Sequence, residues 1–554
     1  MRNRHFAILA LACAPLAAQQ LLPVPSFPKG DYFRAGFSGP STPRVELQPP
    51  VRLSDFVVDG KLEISLRSYL ELVLANNTEI QIQKLSIEIQ RNAITRAFAR
   101  FDPVLTAGFR ATRTTTPTND VLAGAATLSQ LTQPYNLGYQ QILENGTTVN
   151  VGFNGVRQTT NNSFATFNPS LTGNFAFNFT QPLLRDRGGY IQKLPVMVAR
   201  SRFRQSQYQM QDQVMRLLQQ AELAYWSVIE AREALVVQEK GLALQQALLE
   251  RSQRELQLGA ISALEIYRPQ QSYASSEIQV TQARYRLQQA EDVLRRQMGA
   301  DLNPDSRNMP LQLTETVLPP ADDRPIDKES QVETAYRSRP DLRSTLQALD
   351  IDDLNYKQAK NAYQPDLSLT GNYTATGRGG VFTQRTNVFA GDGSRSTVTS
   401  IIPGGFGDAL SQVFGFDFPI YGFSLTLRLP LRDRRAAADL ADAQISKRLN
   451  SLRARSVEQQ IRQEVLNAVT QVENSRASVR LAQVALDFSK KNEEAEQKRY
   501  DLGVTTIFFL LDAQTALTNS ESNLVTQSVQ YRRNLLNLLR TTGQLLEERG
   551  VVIE

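Results

Sequence analysis

The chain of 554 residues has one cysteine and one histidine, Cys13 and His5, and both stand within its first eighteen residues. Past that point there is no thiol for a disulfide. Nor is there an imidazole or thiolate to act as general base, nucleophile or soft-metal ligand. Carboxylate or Ser/Lys chemistry survives the shortage, but nothing in the sequence gathers such groups into a site. No catalytic residue, metal ligand or cofactor is expected, and the chain does not read as an enzyme. A run of ~18 consecutive apolar residues is also missing past the first eighteen, so a bilayer could be crossed only by strands. Charge of one sign is lacking too: 61 basic residues face 55 acidic ones, interleaved along helices. That is a solvated helical surface, with no nucleic-acid partner expected.

The first eighteen residues carry Arg2 and Arg4, an apolar run from Phe6 to Ala12, and small residues up to Ala17-Ala18. They read as a signal peptide for export. Its loss would lower the net charge from +6 to +4, since two of the 61 basic residues go. Lipidation at Cys13 is the alternative, with Ala10-Leu11-Ala12 a poor lead-in. Residues 19–60 are rich in proline (Pro23, Pro25, Pro28, Pro40, Pro43, Pro49, Pro50). Such a segment is extended and has no core of its own.

What is present is a duplication. From Asp433 to Gly543 the chain reads as a long helix, a turn at Leu502-Gly503 and a returning helix. Ile461, Val465, Ala468, Val472, Ser475, Val479, Ala482 and Leu486 alternate spacings of four and three. This is the heptad seam of a left-handed coiled coil. A shift of 244 residues gives Leu217, Ala221, Ala224, Val228, Ala231, Leu235, Gln238 and Leu242, and carries Gly503 onto Gly259 and Gly543 onto Gly299. Two hairpins in register are a repeat. Each long helix (Gly188 to Leu258, Asp433 to Leu502) spans about 105 Å at 1.5 Å per residue.

A helix pattern from Ile64 to Arg100, ended by Asp102-Pro103, returns from Asp327 to Ala362, ended by Gln364-Pro365. After each proline the apolar period falls from 3.6 to 2. Leu105, Ala107, Phe109 and Ala111 alternate with small polar residues; so do Leu171, Phe175, Phe177 and Phe179; so do Leu367, Leu369 and Tyr373; so do Phe423, Leu425, Leu427 and Leu429. Strands of this kind suit a membrane β-barrel wall, and a soluble β-sandwich is the alternative. Too few strands per chain for a closed barrel means that sister copies complete it, because open edges are not tolerated in lipid. An enzyme in a barrel and a structural spacer or adhesin are the competing classes.

In this order of parts, with Gln181-Pro182-Leu183 and Leu429-Pro430-Leu431 leading into the long helices, the chain resembles the TolC-type outer membrane factors over about residues 60–545. The resemblance implies an α+β membrane protein: a homotrimer whose outer membrane β-barrel is continued by a periplasmic α-helical coiled-coil barrel. It implies a passive exit duct for a tripartite efflux pump or type I secretion, with a periplasmic adaptor, an inner membrane pump and outer membrane lipid as partners. The expected layout is a first repeat over 61–300 (strands 103–184, hairpin 188–299), a linker over 301–326, a second repeat over 327–545 (strands 365–431, hairpin 433–543) and a tail over 546–554. Four wall strands per protomer are expected, possibly six. The run of Leu137, Tyr139 and Leu143, then Asn145-Gly146, then Val149, Val151 and Phe153 is a hairpin signal. It is expected as an extension of the wall or an extracellular feature.

The resemblance also places function at the turns. Leu258-Gly259-Ala260 and Leu502-Gly503-Val504 become the adaptor-docking tips, with both glycines suited to the left-handed conformation that ends a helix. Glu265 matches an acidic position of the gate, Asp512 matches one of two aspartates, and the other is Phe509. Tyr500 is kept before the turn, while Thr505 stands where arginine is common. The expectation is a ring of Asp512 carboxylates with a Phe509 collar, Arg268 as counter-charge, and a kink at Pro269.

Overall fold

The computed structural model describes residues 56–58, 60–118, 125–259, 261–300, 307, 309–317, 325–386 and 397–551. The expected signal peptide, nearly all of the proline-rich segment, Ala260, much of the linker and the last three residues lie outside them.

In chain order the first repeat comprises β1 (Val57–Val58), β2 (Lys61–Ile64), α1 (Leu66–Asn76), α2 (Thr78–Phe98), β3 (Val104–Phe109), β4 (Thr112–Pro117), β5 (Thr127–Ile142), β6 (Thr148–Thr160), β7 (Phe167–Pro182), a short α3 (Gly189–Gln192), α4 (Leu194–Gln257) and α5 (Tyr267–Gln297). The linker contributes β8 (Leu311–Leu313). The second repeat comprises α6 (Lys328–Ser338), α7 (Pro340–Ala362), β9 (Asp366–Thr386), β10 (Thr397–Ile402), α8 (Phe406–Gly415), β11 (Pro419–Arg428), α9 (Arg434–Asp501), α10 (Ile507–Thr541) and a short α11 (Leu545–Glu548).

Each helix expected as continuous before the strands is broken in two. Asn77 caps α2 by accepting from the Glu79 N–H, and Pro340 opens α7, where its missing N–H costs nothing. The breaks are 262 residues apart and serve one purpose. A Cβ added at Gly299 would meet Asn76 at 3.4 Å, and one at Gly543 would come within 2.9–3.1 Å of the Ser338 and Arg339 backbone, both glycines having positive φ. A side chain at Gly543 would have no room. The two cores repeat as well: Val332, Ala335, Leu342, Ile461, Val465 and Leu538 in the second copy answer Leu70, Val73, Ile80, Leu217, Ala221 and Leu294 in the first.

The heptad seam of α9 is buried from Ile461 to Ala482. In α4 it is buried only from Leu217 to Val228, after which burial passes to Val237, Gly241, Gln245, Leu248 and Ser252. The reason is a neighbour: α10 lies against this stretch, with Thr518 on Gly241 and Gln514 hydrogen-bonded to Gln245. Pro269 also departs from expectation. It falls in the first turn of α5, where no kink follows.

One antiparallel sheet is six strands wide, in the order β3 and β4 in line, β5, β6, β7, β9, then β11 and β10 in line. This is the wider of the two expected counts. The hairpin β5–β6 stands inside the wall, paired to β3 on one side and to β7 on the other. Its Asn145-Gly146 turn lies at the helix end of the sheet: Lys193 pairs with Glu144 at 2.6 Å, and the Gly188 N–H donates to the Asn145 carbonyl.

Registers assign the two faces. Leu137, Phe153, Phe175 and Ala375 form one cross-strand row, and Tyr139, Val151, Phe177, Tyr373 and Tyr421 form another. Flanking these two rows, Asn136, Asn154, Asn174 and Thr376 form a row next to the first, and Asn150, Asn178 and Asn372 a row next to the second, all on the opposite face. One face is apolar and aromatic; the other is lined by amides and hydroxyls.

Candidate functional site: the hairpin tips and the gate

At both tips the helix ends on a left-handed glycine. Gly259 has φ +70° and Gly503 φ +69°, each with open space where a side chain would point. Leu258 (84% exposed), Leu502 (79%) and Val504 (75%) project into solvent. The end of each rod therefore leaves large apolar side chains bare.

Just above the turns the two hairpins are tied together. The Tyr500 hydroxyl on α9 donates to Glu255 on α4 (3.1 Å). Arg251 donates to Glu255 (2.8 Å) and to Asp501 (2.5 Å), and its guanidinium lies over the Tyr500 ring at 4.7 Å. Partial burial, and then the bond to Glu255, push the Tyr500 hydroxyl up to about 12. Arg251 holds the Asp501 carboxyl below its ordinary range. Leu248, Leu510 and Leu511 close over the tie with Tyr500 and Ile507 against them. Sequence reasoning found Tyr500 but missed Arg251, Glu255 and Asp501. These sit one and two turns above Leu258, or beside the tyrosine, among many similar helical charges.

The remaining candidates cluster on the returning helices. Phe509 is 54% exposed and meets Phe508 edge to face. Arg268 stacks over Phe508 at 4.4 Å, so within one chain its partner is an aromatic face rather than Asp512. Asp512 and Glu265 are exposed. Glu265 is near enough to add to the upward push on Tyr500. Among the described residues no group of His, Cys, Asp and Glu could hold a metal ion, and no helix is long and apolar enough to cross a membrane.

The chain thus carries an amphipathic sheet mounted on paired helical rods. Residues 332–544 match the model of the outer membrane efflux protein family. Over that span the chain is similar to this family, a likeness that supports an outer membrane location with the helical barrel in the periplasm. Solved structures share the fold over 86–91% of the chain. The Campylobacter jejuni CmeC outer membrane channel is 16% identical, with TM-score 0.59 over 91% of this chain and 90% of that one. The Vibrio cholerae outer membrane protein VceC is 13% identical, with TM-score 0.58 over 86% and 96%. The open-state Neisseria gonorrhoeae MtrE channel is 18% identical, with TM-score 0.56 over 87% and 89%. No curated protein matches the chain.

Proposed function

We propose that three copies of this chain form a passive outer membrane exit duct with no reaction of its own. A periplasmic adaptor and an inner membrane pump would open it at the hairpin tips, for efflux or for type I secretion.

The observation that carries the reading is an imbalance between the two repeats. In the second repeat α7 is held between α4 and α9, and α10 packs on α4. Their first-repeat counterparts have only half of these contacts. Among the described residues α2 packs chiefly on α4 and leaves Ile82, Leu85 and Ile89 exposed; α5 leaves Ile278 and Tyr285 exposed; α9 offers Leu481, Val484 and Phe488 on its bare side. Surfaces that are partnered in one copy and bare in the other are completed by the next chain round a ring. The sheet needs the same remedy, since among the described residues its edges, β3 with β4 and β11 with β10, pair with no further strand. Three chains would close a wall eighteen strands wide, the width at which barrels hold an aqueous channel. The amide-lined face would line its lumen and the aromatic face would meet lipid.

At the far end the tie of Arg251, Glu255, Tyr500 and Asp501 holds the closed state. Positions 244 residues away carry Ala495, Arg499, Leu256 and Gln257, which cannot rebuild it between chains. The lock therefore sits inside each chain. Asp512 and Phe509 would ring the closed pore, with Leu258, Gly259, Ala260, Leu502, Gly503 and Val504 meeting the adaptor. Planar-bilayer recording of the purified protein tests this. A small conductance that rises when the tie is removed supports the duct; absence of any conductance, tied or untied, removes it.

A further inference from the structure

Within the span 365–431, for which only strands were expected, the chain between β10 and β11 forms the helix α8, which lies across the sheet. Its position is fixed by glycine. Gly155, Gly173 and Gly377 form one cross-strand row on the aromatic face, and Gly379 follows one row further from the helical end. Side chains at Gly377 and Gly379 would run into the carbonyls of Ala409 and Gly405, and one at Gly173 would press on Val413 at 3.3 Å. Phe406 reaches further, edge-on to Tyr135 at 5.5 Å and to Phe153 at 6.4 Å. The cradle is built for a helix.

The helix also repairs the wall. β11 pairs with β9 only as far as Ala375, and β10 begins only at Phe382, so the stretch between has no strand on that edge. There the Gln412 side chain takes the place of a strand. It accepts from the Arg378 N–H and donates to the Arg378 carbonyl, both at 3.0 Å. A backbone gap left open in hydrocarbon would be costly.

The outward side of the same segment is apolar where it faces away from the sheet. Phe414, Phe416 and Phe418 are each more than half exposed. Phe416 holds a left-handed cap (φ +57°), a place glycine fills without strain, and its ring packs on Tyr373 at 5.9 Å. The level is informative as well. On the helical side of α8 the aromatic face is Phe153, Phe175 and Ala375; in the outer row of the cradle, that of Leu171 and Gly379, stands Arg157, the first charged residue met on that face. That is the level at which an apolar wall gives way to a polar interface.

We infer that α8 is an interfacial helix on the lipid side of the barrel. It seals the gap in β9, and its phenylalanines enter the acyl chains of the outer leaflet. The inference rests on the reading of the sheet as a membrane wall, and the two can be tested separately. In full-length protein carrying Cys13→Ser, a nitroxide is attached at Phe414→Cys, with Phe418→Cys as a second position and Phe177→Cys on mid-β7 as the wall reference. The protein is reconstituted in phospholipid bilayers, and relaxation by lipid-soluble oxygen is compared with relaxation by a water-soluble nickel chelate. Expected is oxygen in excess of nickel at all three positions, with Phe414 and Phe418 shallower than Phe177. Nickel in excess at 414 and 418 alone would put α8 in water and overturn the inference. Shielding from both agents there would mean that a neighbouring chain covers the helix, which overturns it equally. Nickel in excess at 177 would instead remove the membrane wall itself. Adding Gly377→Val should expel the helix, giving a mobile spectrum at 414 and an unchanged one at 177.

Discussion

The hydroxyl of Tyr500 donates to Glu255 across 3.1 Å, and with Arg251 over its ring this bond joins two hairpins whose turns are 244 residues apart. Glu255 receives a second bond, from Arg251, which also reaches Asp501. The tie is thus a single network rather than a set of separate contacts, and loss of one member loosens the rest.

Replacing Tyr500 by Phe keeps the ring and deletes the bond. A partly exposed hydrogen bond to a carboxylate contributes about 1 kcal/mol, so the open fraction should rise about fivefold. Replacing Arg251 by Ala should raise it further, since both carboxylates then lose their cation. Single-channel recording reads this directly, and conductance unchanged in both variants would show that the tie does not hold the gate.

The pH profile follows from the same groups. Asp501 has its folded-state pKa lowered, so its contribution is complete above the ordinary carboxylate value and is lost as pH falls through the lowered one. Tyr500 has its pKa raised to about 12, so its contribution is complete below the ordinary tyrosine value near 10 and is lost as pH rises through the raised one. Conductance should stay flat between about pH 5 and 9 and increase outside that range. A step near neutrality would point to other groups.

Asp512 is exposed beside the aromatic pair Phe508 and Phe509. Asp512→Ala should lower cation preference, moving the reversal potential in a salt gradient toward zero. Phe509→Ala should widen the closed pore without changing selectivity. If Asp512→Ala leaves both selectivity and block by multivalent cations untouched, the carboxylates do not face the lumen.

Arg339 is buried at the break before α7. It forks onto Asp341 (3.0 and 2.6 Å) and reaches Glu464 on α9 at 2.6 Å. Burial opposes its charge, and the two carboxylates more than restore it. Arg339→Ala strands both acids and should cost on the order of 3 kcal/mol. Thermal unfolding in detergent should show a clear fall in midpoint, while Arg337→Ala on the exposed side of α6 should not.

Much of this was legible because it was written twice. The seam of α9, the turn glycines and the alternation of the strands survive a fixed shift, and a pattern that repeats is hard to mistake. Pro340 and the Asn77 cap could also have been read as breaks from their local chemistry. Other features depend on tertiary neighbours and leave no local trace. Val237, Gly241 and Gln245 are buried only because α10 lies there. The width of the sheet was ambiguous since β5 and β6 look the same whether they stand inside the wall or beyond it. Helix α8 was hidden by Pro403, Gly404, Gly405, Gly407 and Gly415, which read as loop until Gly377 and Gly379 supply a floor for it.

The ring of sister chains can be tested at a single pair of residues. Within the chain Gly241 faces Thr518, and a Cβ added at Gly241 would lie 3.8 Å from the Thr518 Cβ, a separation suited to a disulfide. In the proposed ring the equivalent positions, 244 residues away, would be Ala485 and, from the neighbouring copy, Ala274. With Cys13→Ser, Ala274→Cys and Ala485→Cys, mild oxidation should give a covalent ladder ending at three chains. A product that stays at one chain, or a ladder that runs on past three, would contradict the account.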